Sequence, residues 1–271
     1  MNSAVTPRFE IMTTGGLLDR VFRLYAANFP LMLGIAAAAY VPLYALQLFL
    51  QALRGTSRGD LTMAFSQLIL AILWVSLTFP IATGAATYAI SERYLGHEVV
   101  VGEAFGRALK RLWTLSIAQL EVGLRVMIGF LLLIIPGILW SLSYSLVVPV
   151  VMVEGQKAGP SVRRSSDLVK GNRMKVLVVL VVVSVIQGLA GYGVETLSGQ
   201  FFDAGTSSGG LIQTALGGVA QIFFTPLIII ADILLYYDFR IRKEGFDLEM
   251  LSRDLAAVAE GAGTLSATPS R

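Results

Sequence analysis

Three ionisable residues stand inside long apolar stretches, where charge is costly and therefore informative. Glu121 and Arg125 lie in one such stretch, and Asp232 lies in another. An isolated charge near the centre of a lipid bilayer costs at least ~2.5 kcal/mol on insertion scales, so each side chain is expected to face the other helices and find a partner there. Glu121 and Arg125 are separated by one helical turn, a spacing that allows them to pair on one helix.

Two interpretations of this polar cluster stay open. In the first, Glu121, Arg125 and Asp232 form an intramembrane polar site, or a path for protons or ions. In the second, Glu121 and Arg125 are an intrahelical pair, and a protonated Asp232 at a similar depth fastens the two stretches together. The second is favoured, because a transporter usually has more polar residues in each span.

Six apolar stretches must position these side chains. They cover residues 29–52, 63–90, 113–135, 138–153, 174–194 and 211–239. A hydrocarbon core of ~30 Å is crossed by about 20 helical residues. We therefore predict an all-α fold, a polytopic membrane helix bundle with six transmembrane helices in three hairpins. This membrane domain covers residues 1–251, and residues 252–271 are small and polar, which indicates a largely disordered tail.

A short amphipathic helix is predicted before each hairpin. The three segments, at about residues 15–28, 101–114 and 161–170, are too short and too charged to span, so we expect them to lie at the membrane interface. Their basic residues, with those after the sixth stretch, are candidates for contact with anionic lipid head groups, and plain anchoring of the topology is a compatible alternative. The candidates are Arg20, Arg23, Arg107, Lys110, Arg111, Arg163, Arg164, Lys170, Arg240, Arg242 and Lys243.

Composition supports the membrane class and excludes several kinds of chemistry. The chain is 55% hydrophobic and 14% charged, whereas an average soluble domain has about 25% charged residues. It has no cysteine and a single histidine, His97, so thiol catalysis is excluded and neither a metal site nor a cofactor is expected. Nothing resembles a nucleic-acid-binding module, and the basic residues are interleaved with the spans.

The distribution of positive charge predicts the threading. With six spans and the amino terminus inside, 18 of the 21 Lys and Arg residues fall on the cytoplasmic side, as the positive-inside rule requires. A five-span alternative treats residues 102–125 as a surface helix and 126–153 as one kinked span. It places six basic residues between 157 and 175 outside, so the six-span threading with both termini in the cytoplasm is preferred.

A weak internal repeat accompanies this plan. The second span of each predicted hairpin contains a proline, at Pro80, Pro149 or Pro226. Glu92 stands twelve residues after the first of these prolines, and Asp238 stands twelve residues after the last. Duplicated hairpins explain this pattern, and the common needs of re-entering a membrane explain it equally well.

Four segments carry a resemblance to a known family. They read LLDRVFRLYAANFPLML, LLLIIPGILWSLSYSLVVPVVMVEG, SVRRSSDLVKGNRMKVL and, most specifically, LLYYDFRIRKEGFDLEML. This pattern, which reaches to about Leu251, resembles the glycerophosphoryl diester phosphodiesterase membrane-domain family. The resemblance implies a six-span membrane domain. Some members are joined to a phosphodiesterase domain, but a (β/α)₈ barrel needs roughly 250 further residues, so no hydrolase activity is implied here.

The expected function is that of a non-enzymatic integral membrane protein. We expect a scaffold or lipid-associated domain of a bacterial or archaeal plasma membrane, whose partners are membrane lipids, including anionic ones. The alternative is a small transporter or permease-like subunit that uses Glu121, Arg125 and Asp232. An enzyme acting on lipid head groups ranks third, because no nucleophile–base or metal constellation is visible. The sequence identifies no protein partner and no substrate.

Overall fold

The chain is helical throughout the part that the structure describes. The computed structural model describes residues 11–54, 61–203 and 206–245, and within them there are helices and no β-strand. The all-α prediction is therefore confirmed. The predicted tail, residues 252–271, lies outside the described residues.

Six of the helical segments are long and apolar enough to cross a bilayer. Spans 1, 3 and 5 are single helices: α2 (Phe29–Arg54), α6 (Leu112–Leu132) and α10 (Arg173–Phe201). Span 2 joins α3 (Leu61–Leu73) to α4 (Phe79–Tyr94) through a π-helical turn (Trp74–Thr78). Span 4 comprises α7 (Ile134–Ser143), α8 (Val147–Pro149) and a π-helical turn (Val150–Glu154), and span 6 is α11 (Ser207–Glu244). The six helices indicate a multi-pass membrane protein, as predicted.

The helix break between spans 3 and 4 lies earlier in the chain than Pro136 and Gly137, the residues at which the sequence indicates a turn. The helix axis is interrupted at Leu133, whose backbone is extended (φ −165°, ψ 153°), and not at Pro136. A proline is tolerated in the first turn of a helix, where its missing N–H has no helical partner to lose. The two helices then approach closely, since a Cβ on Gly129 would stand 2.9 Å from the Cα of Gly137.

Spans 5 and 6 extend past their predicted boundaries at Val194 and Phe239. Helix α10 continues to Phe201, and α11 continues to Glu244. The sequence prediction followed polarity, which marks where apolar residues end. The helices instead end at backbone signals, and α11 stops at Gly245, which adopts the left-handed conformation (φ 64°) and donates its N–H to Ile241 O at 3.2 Å.

Three short helices precede the hairpins in chain order: α1 (Thr14–Ala27), α5 (Val101–Lys110) and α9 (Ala158–Val169). Each packs mainly on a hairpin other than the one that follows it. Helix α5 packs on α4, α9 packs on α6 and span 4, and α1 packs on α11. The arrangement is therefore cyclic, with α1 closing the ring against the third hairpin.

The second span of each hairpin lies inside the bundle. The buried share of the most apolar residues is 33% in span 2, 44% in span 4 and 61% in span 6. In spans 1, 3 and 5 it is 22%, 17% and 17%. Helix α11 is the most enclosed, and a continuous run of its residues from Ile233 to Phe239 is buried. Polar groups on this helix therefore sit where they must be paired within the protein.

Candidate functional site

Asp232 lines a cavity between four of the six spans. The cavity measures about 370 Å³ and is bordered by α4, α6, span 4 and α11. Its walls are mostly apolar, with Phe79, Tyr144 and Ile228 among them. Asp232 makes no hydrogen bond or ion pair within the described residues, and its Oδ1 is buried without a partner. It is the one charged residue on the cavity wall, and a buried carboxylate without a partner is costly.

A second unpaired acceptor belongs to Gln119 on the same wall. The amide nitrogen of Gln119 donates to Thr83 Oγ1 at 2.9 Å, and the Thr83 hydroxyl donates to Phe79 O at 2.7 Å. Because the hydroxyl proton is already used, Thr83 can only accept from Gln119, which fixes the orientation of the amide. Gln119 Oε1 is then buried without a hydrogen-bond partner. Two acceptors on this wall, Asp232 Oδ1 and Gln119 Oε1, are thus without a donor among the described residues.

Glu121 and Arg125 form the predicted pair but do not face the bundle interior. The guanidinium of Arg125 contacts Glu121 Oε1 at 2.5 Å, and the two side chains remain 46% and 28% exposed. The guanidinium also lies over the ring of Tyr144, 5.7 Å from its centroid. No hydrogen bond or ion pair connects Asp232 to this pair in the described residues, and Asp232 lies on the cavity wall.

A buried charge cluster lies near the end of α11. The side chain of Asp238 is 0% exposed, and its carboxylate accepts from Met12 N at 2.8 Å, Lys175 Nζ at 2.6 Å and Arg242 Nε at 2.8 Å. The same two cations also donate to Met12 O, at 2.6 and 2.7 Å. One carboxylate therefore ties Met12, two residues before α1, to α10 and α11, and it places both ends of the described chain at one end of the bundle.

A closed ring of polar contacts connects span 4, α9 and α11 at the same end. Arg164 pairs with Glu154 at 3.1 Å and with Glu244 at 2.5 Å. Arg240 pairs with Glu244 at 3.1 Å and donates to Tyr236 Oη at 3.3 Å, and Tyr236 donates to Glu154 at 3.1 Å. The hydrogen bond to Glu244, aided by the Glu154 charge, raises the pKa of Arg164 above its usual value, so its guanidinium stays charged.

The basic residues that were candidates for lipid contact divide into two groups. Most already have contacts within the protein. Arg111 donates to Gly155 O, and Lys243 donates to Asp167 O and Lys170 O. Arg23 pairs with Asp19, while Arg20 lies over the ring of Tyr94 and Arg107 over the ring of Tyr88. Arg164, Arg240 and Arg242 belong to the networks described above. Lys110, Arg163 and Lys170 are exposed, and their side chains make no hydrogen bond or ion pair in the described part of the chain.

Sequence reasoning missed the role of Asp238 and overlooked Gln119. One local signal was present for the first, since Asp238 and Arg242 are separated by one helical turn in an apolar run. Nothing local indicates that Met12 and Lys175 complete the cluster. Gln119 carries no signal beyond its presence among apolar residues.

A second cavity adjoins the first along α11. It measures about 390 Å³ and lies between α10 and α11, where Gln187, Glu195 and Gln213 contribute polar groups. Thr225 borders both cavities. From Gln213 to Asp232 one side of α11 therefore lines cavity space over about 28 Å at ~1.5 Å per residue.

No family model, no curated protein and no solved structure matches this chain.

Proposed function

We propose that this chain is a non-enzymatic integral membrane domain that associates with anionic lipids at one end of its bundle. The observation that supports the proposal is the group of exposed cations on α5, on α9 and just after α9, namely Lys110, Arg163 and Lys170, which have no partner in the described residues. Basic groups near a membrane surface contribute about 1 kcal/mol each to the attraction of anionic lipid. The non-enzymatic part of the proposal rests on composition, with one histidine and no cysteine.

Replacing these three cations should remove the lipid preference. We expect the native protein to retain phosphatidylglycerol over phosphatidylcholine in native mass spectrometry, and the triple variant Lys110→Gln, Arg163→Gln, Lys170→Gln to lose most of that preference. The charge-conserving control is Lys110→Arg, Arg163→Lys, Lys170→Arg, which should behave as the native protein does. Equal retention of the two lipids by the native protein would refute lipid association.

The proposed membrane is the plasma membrane, with this end of the bundle in the cytoplasm. The charge asymmetry along the sequence supports this orientation. Because the chain has no cysteine, single cysteines can report the sides. A cysteine replacing the exposed Ser208 should react with an impermeant maleimide on intact cells, and one replacing the exposed Glu98 should react only after permeabilisation. Labelling at position 98 in intact cells would reverse the orientation.

A relationship to the glycerophosphoryl diester phosphodiesterase membrane-domain family belongs to the proposal. It is supported by the terminal motif, LLYYDFRIRKEGFDLEML, and by the order of the other three segments. In this chain that motif supplies Tyr236, which donates to Glu154 of span 4, and Asp238, which accepts from Lys175 of α10. A family defined by such a motif would share this packing arrangement and not a reaction. An alignment of members in which Asp238 and Lys175 vary independently would argue against it.

Transport of a small solute is the second candidate function. It is favoured by the two cavities that meet at Thr225 and by the unpaired Asp232 within one of them. Transporters commonly place their binding site near the bilayer midplane, beside an interrupted helix. The polar path here follows α11, which contains Pro226, and not the Glu121–Arg125 pair. Solute uptake by proteoliposomes that hold the purified protein is the measurement for this candidate.

A further inference from the structure

We infer that the cavity beside Asp232 is a binding site for a small organic ammonium ion with an apolar body. The cavity measures about 370 Å³, which lies within the range of small-molecule sites, and such sites combine apolar walls with a few well-placed polar groups. The inference concerns binding. It is independent of the lipid proposal, and it uses the same cavity as the transport candidate without requiring transport.

The charge of the ligand follows from the cavity wall. Asp232 is the one formal charge among the residues that border the cavity, and the remaining polar members are neutral threonine, serine, glutamine and tyrosine side chains. Arg125 lies near the wall residue Tyr144, but its charge is paired with Glu121. An anion would therefore oppose ionisation of Asp232, whereas a cation would favour the carboxylate form and pair with it in surroundings that screen charge poorly.

The hydrogen-bonding character of the ligand follows from the two unsatisfied acceptors. Asp232 Oδ1 and Gln119 Oε1 have no hydrogen-bond partner among the described residues, and the orientation of Gln119 is fixed by Thr83. An ammonium group has three N–H donors and no acceptor. It can therefore donate to acceptors of this kind, which a hydrophobic molecule cannot do and a quaternary ammonium, having no N–H, cannot do either.

The apolar body of the ligand follows from the remaining walls. Phe79, Val126 and Ile229 are among the aliphatic and aromatic residues that enclose the space. Asp232 lies eight residues before Arg240, or about 12 Å along the helix at ~1.5 Å per residue. An ethanolamine head group held at the level of Arg240 would not reach it, so the ligand is a free amine and not an aminolipid.

The test compares three ligands of one shape with the purified protein in phosphatidylcholine nanodiscs. Benzylamine is the cation, benzyl alcohol the neutral analogue and benzoate the anion. Benzylamine should raise the melting temperature in a saturable manner, and the other two should have little effect. A shift by benzyl alcohol equal to that by benzylamine, or no shift by benzylamine, would overturn the inference.

Two variants locate the site. Asp232→Asn should fold normally and weaken benzylamine binding by at least ~30-fold, because the charge pair is lost. Gly123→Phe should fill the cavity while leaving the carboxylate in place, since Gly123 borders the cavity and a Cβ there meets nothing within 4 Å. The matched control is Gly188→Phe, which is equally unobstructed and lies on α10, away from this cavity.

The outcomes separate binding from transport and from lipid occupancy. Benzylamine binding that survives both Asp232→Asn and Gly123→Phe would place the site elsewhere and refute the inference. Competition by phosphatidylethanolamine in the nanodisc would overturn the assignment to a free amine. Saturable binding without uptake of benzylamine by proteoliposomes would support the site and remove the transport candidate.

Discussion

Replacing Asp238 with alanine should lower the free energy of unfolding by about 3–5 kcal/mol, the cost typical of removing one partner from a buried ion pair. Asp238 is fully buried and accepts from Met12 N, Lys175 and Arg242. Without the carboxylate, the buried amine of Lys175 (11% exposed) loses its counter-ion, and the amide of Met12 loses its acceptor. The Met12 carbonyl retains its two cationic donors, which limits the loss.

The measurement is reversible unfolding in mixed micelles, with two comparison variants. Asp238→Asn keeps an acceptor of the same shape and should lose less stability than Asp238→Ala. Glu98→Ala, at an exposed loop position, should change the free energy of unfolding by no more than about 0.5 kcal/mol. Hydrogen exchange at the Met12 amide should also accelerate in Asp238→Ala, since its acceptor is gone. If the Asp238→Ala variant had the same free energy of unfolding as the Glu98→Ala variant, the cluster would not stabilise this end of the bundle.

The sequence predicted the features of this fold that depend on local pattern. Apolar runs long enough to cross a bilayer identified all six spans, because the length of a helix and its composition are local properties. The Glu121–Arg125 pair was predicted for the same reason, since a separation of one helical turn fixes the distance between two side chains on any straight helix. Helix α11 ends at Gly245, where the left-handed conformation costs a glycine little.

The features that depend on how the helices are rotated and paired were not predictable from the same patterns. Asp232 and Glu121 have similar depths, but depth does not fix which face of a helix meets which neighbour. Met12 and Asp238 are 226 positions apart, and only the packing of α1 on the third hairpin brings them together. The basic residues in the last turns of α11 satisfied a topology rule and were interpreted as lipid contacts, whereas Arg240 and Arg242 pair with carboxylates.

The pair formed by Glu121 and Arg125 should respond to mutation as a unit. Removing either charge alone, by Glu121→Leu or Arg125→Met, should lower stability by at least ~2.5 kcal/mol, because its partner is then left unpaired at the depth of the hydrocarbon core. The double variant should recover much of the loss, since two apolar residues of similar size leave no charge behind. Thermal melts of the two single variants and the double variant measure the coupling between the two side chains.

The ion pair in α1 provides a matched control for the surroundings of Glu121 and Arg125. Arg23 and Asp19 have the same helical spacing and are 70% and 62% exposed. An exposed helical pair in water contributes only about 0.3–0.5 kcal/mol, so Asp19→Leu and Arg23→Met should have small effects. We expect a large difference in stability loss between the two pairs. Because the Glu121 and Arg125 side chains are themselves partly exposed, this difference arises from the lipid that surrounds α6 and not from burial in protein.

Equal, small effects at both pairs would place Glu121 and Arg125 in water and argue against α6 as a transmembrane helix. A double variant no more stable than the weaker single variant would show that the two charges are not coupled.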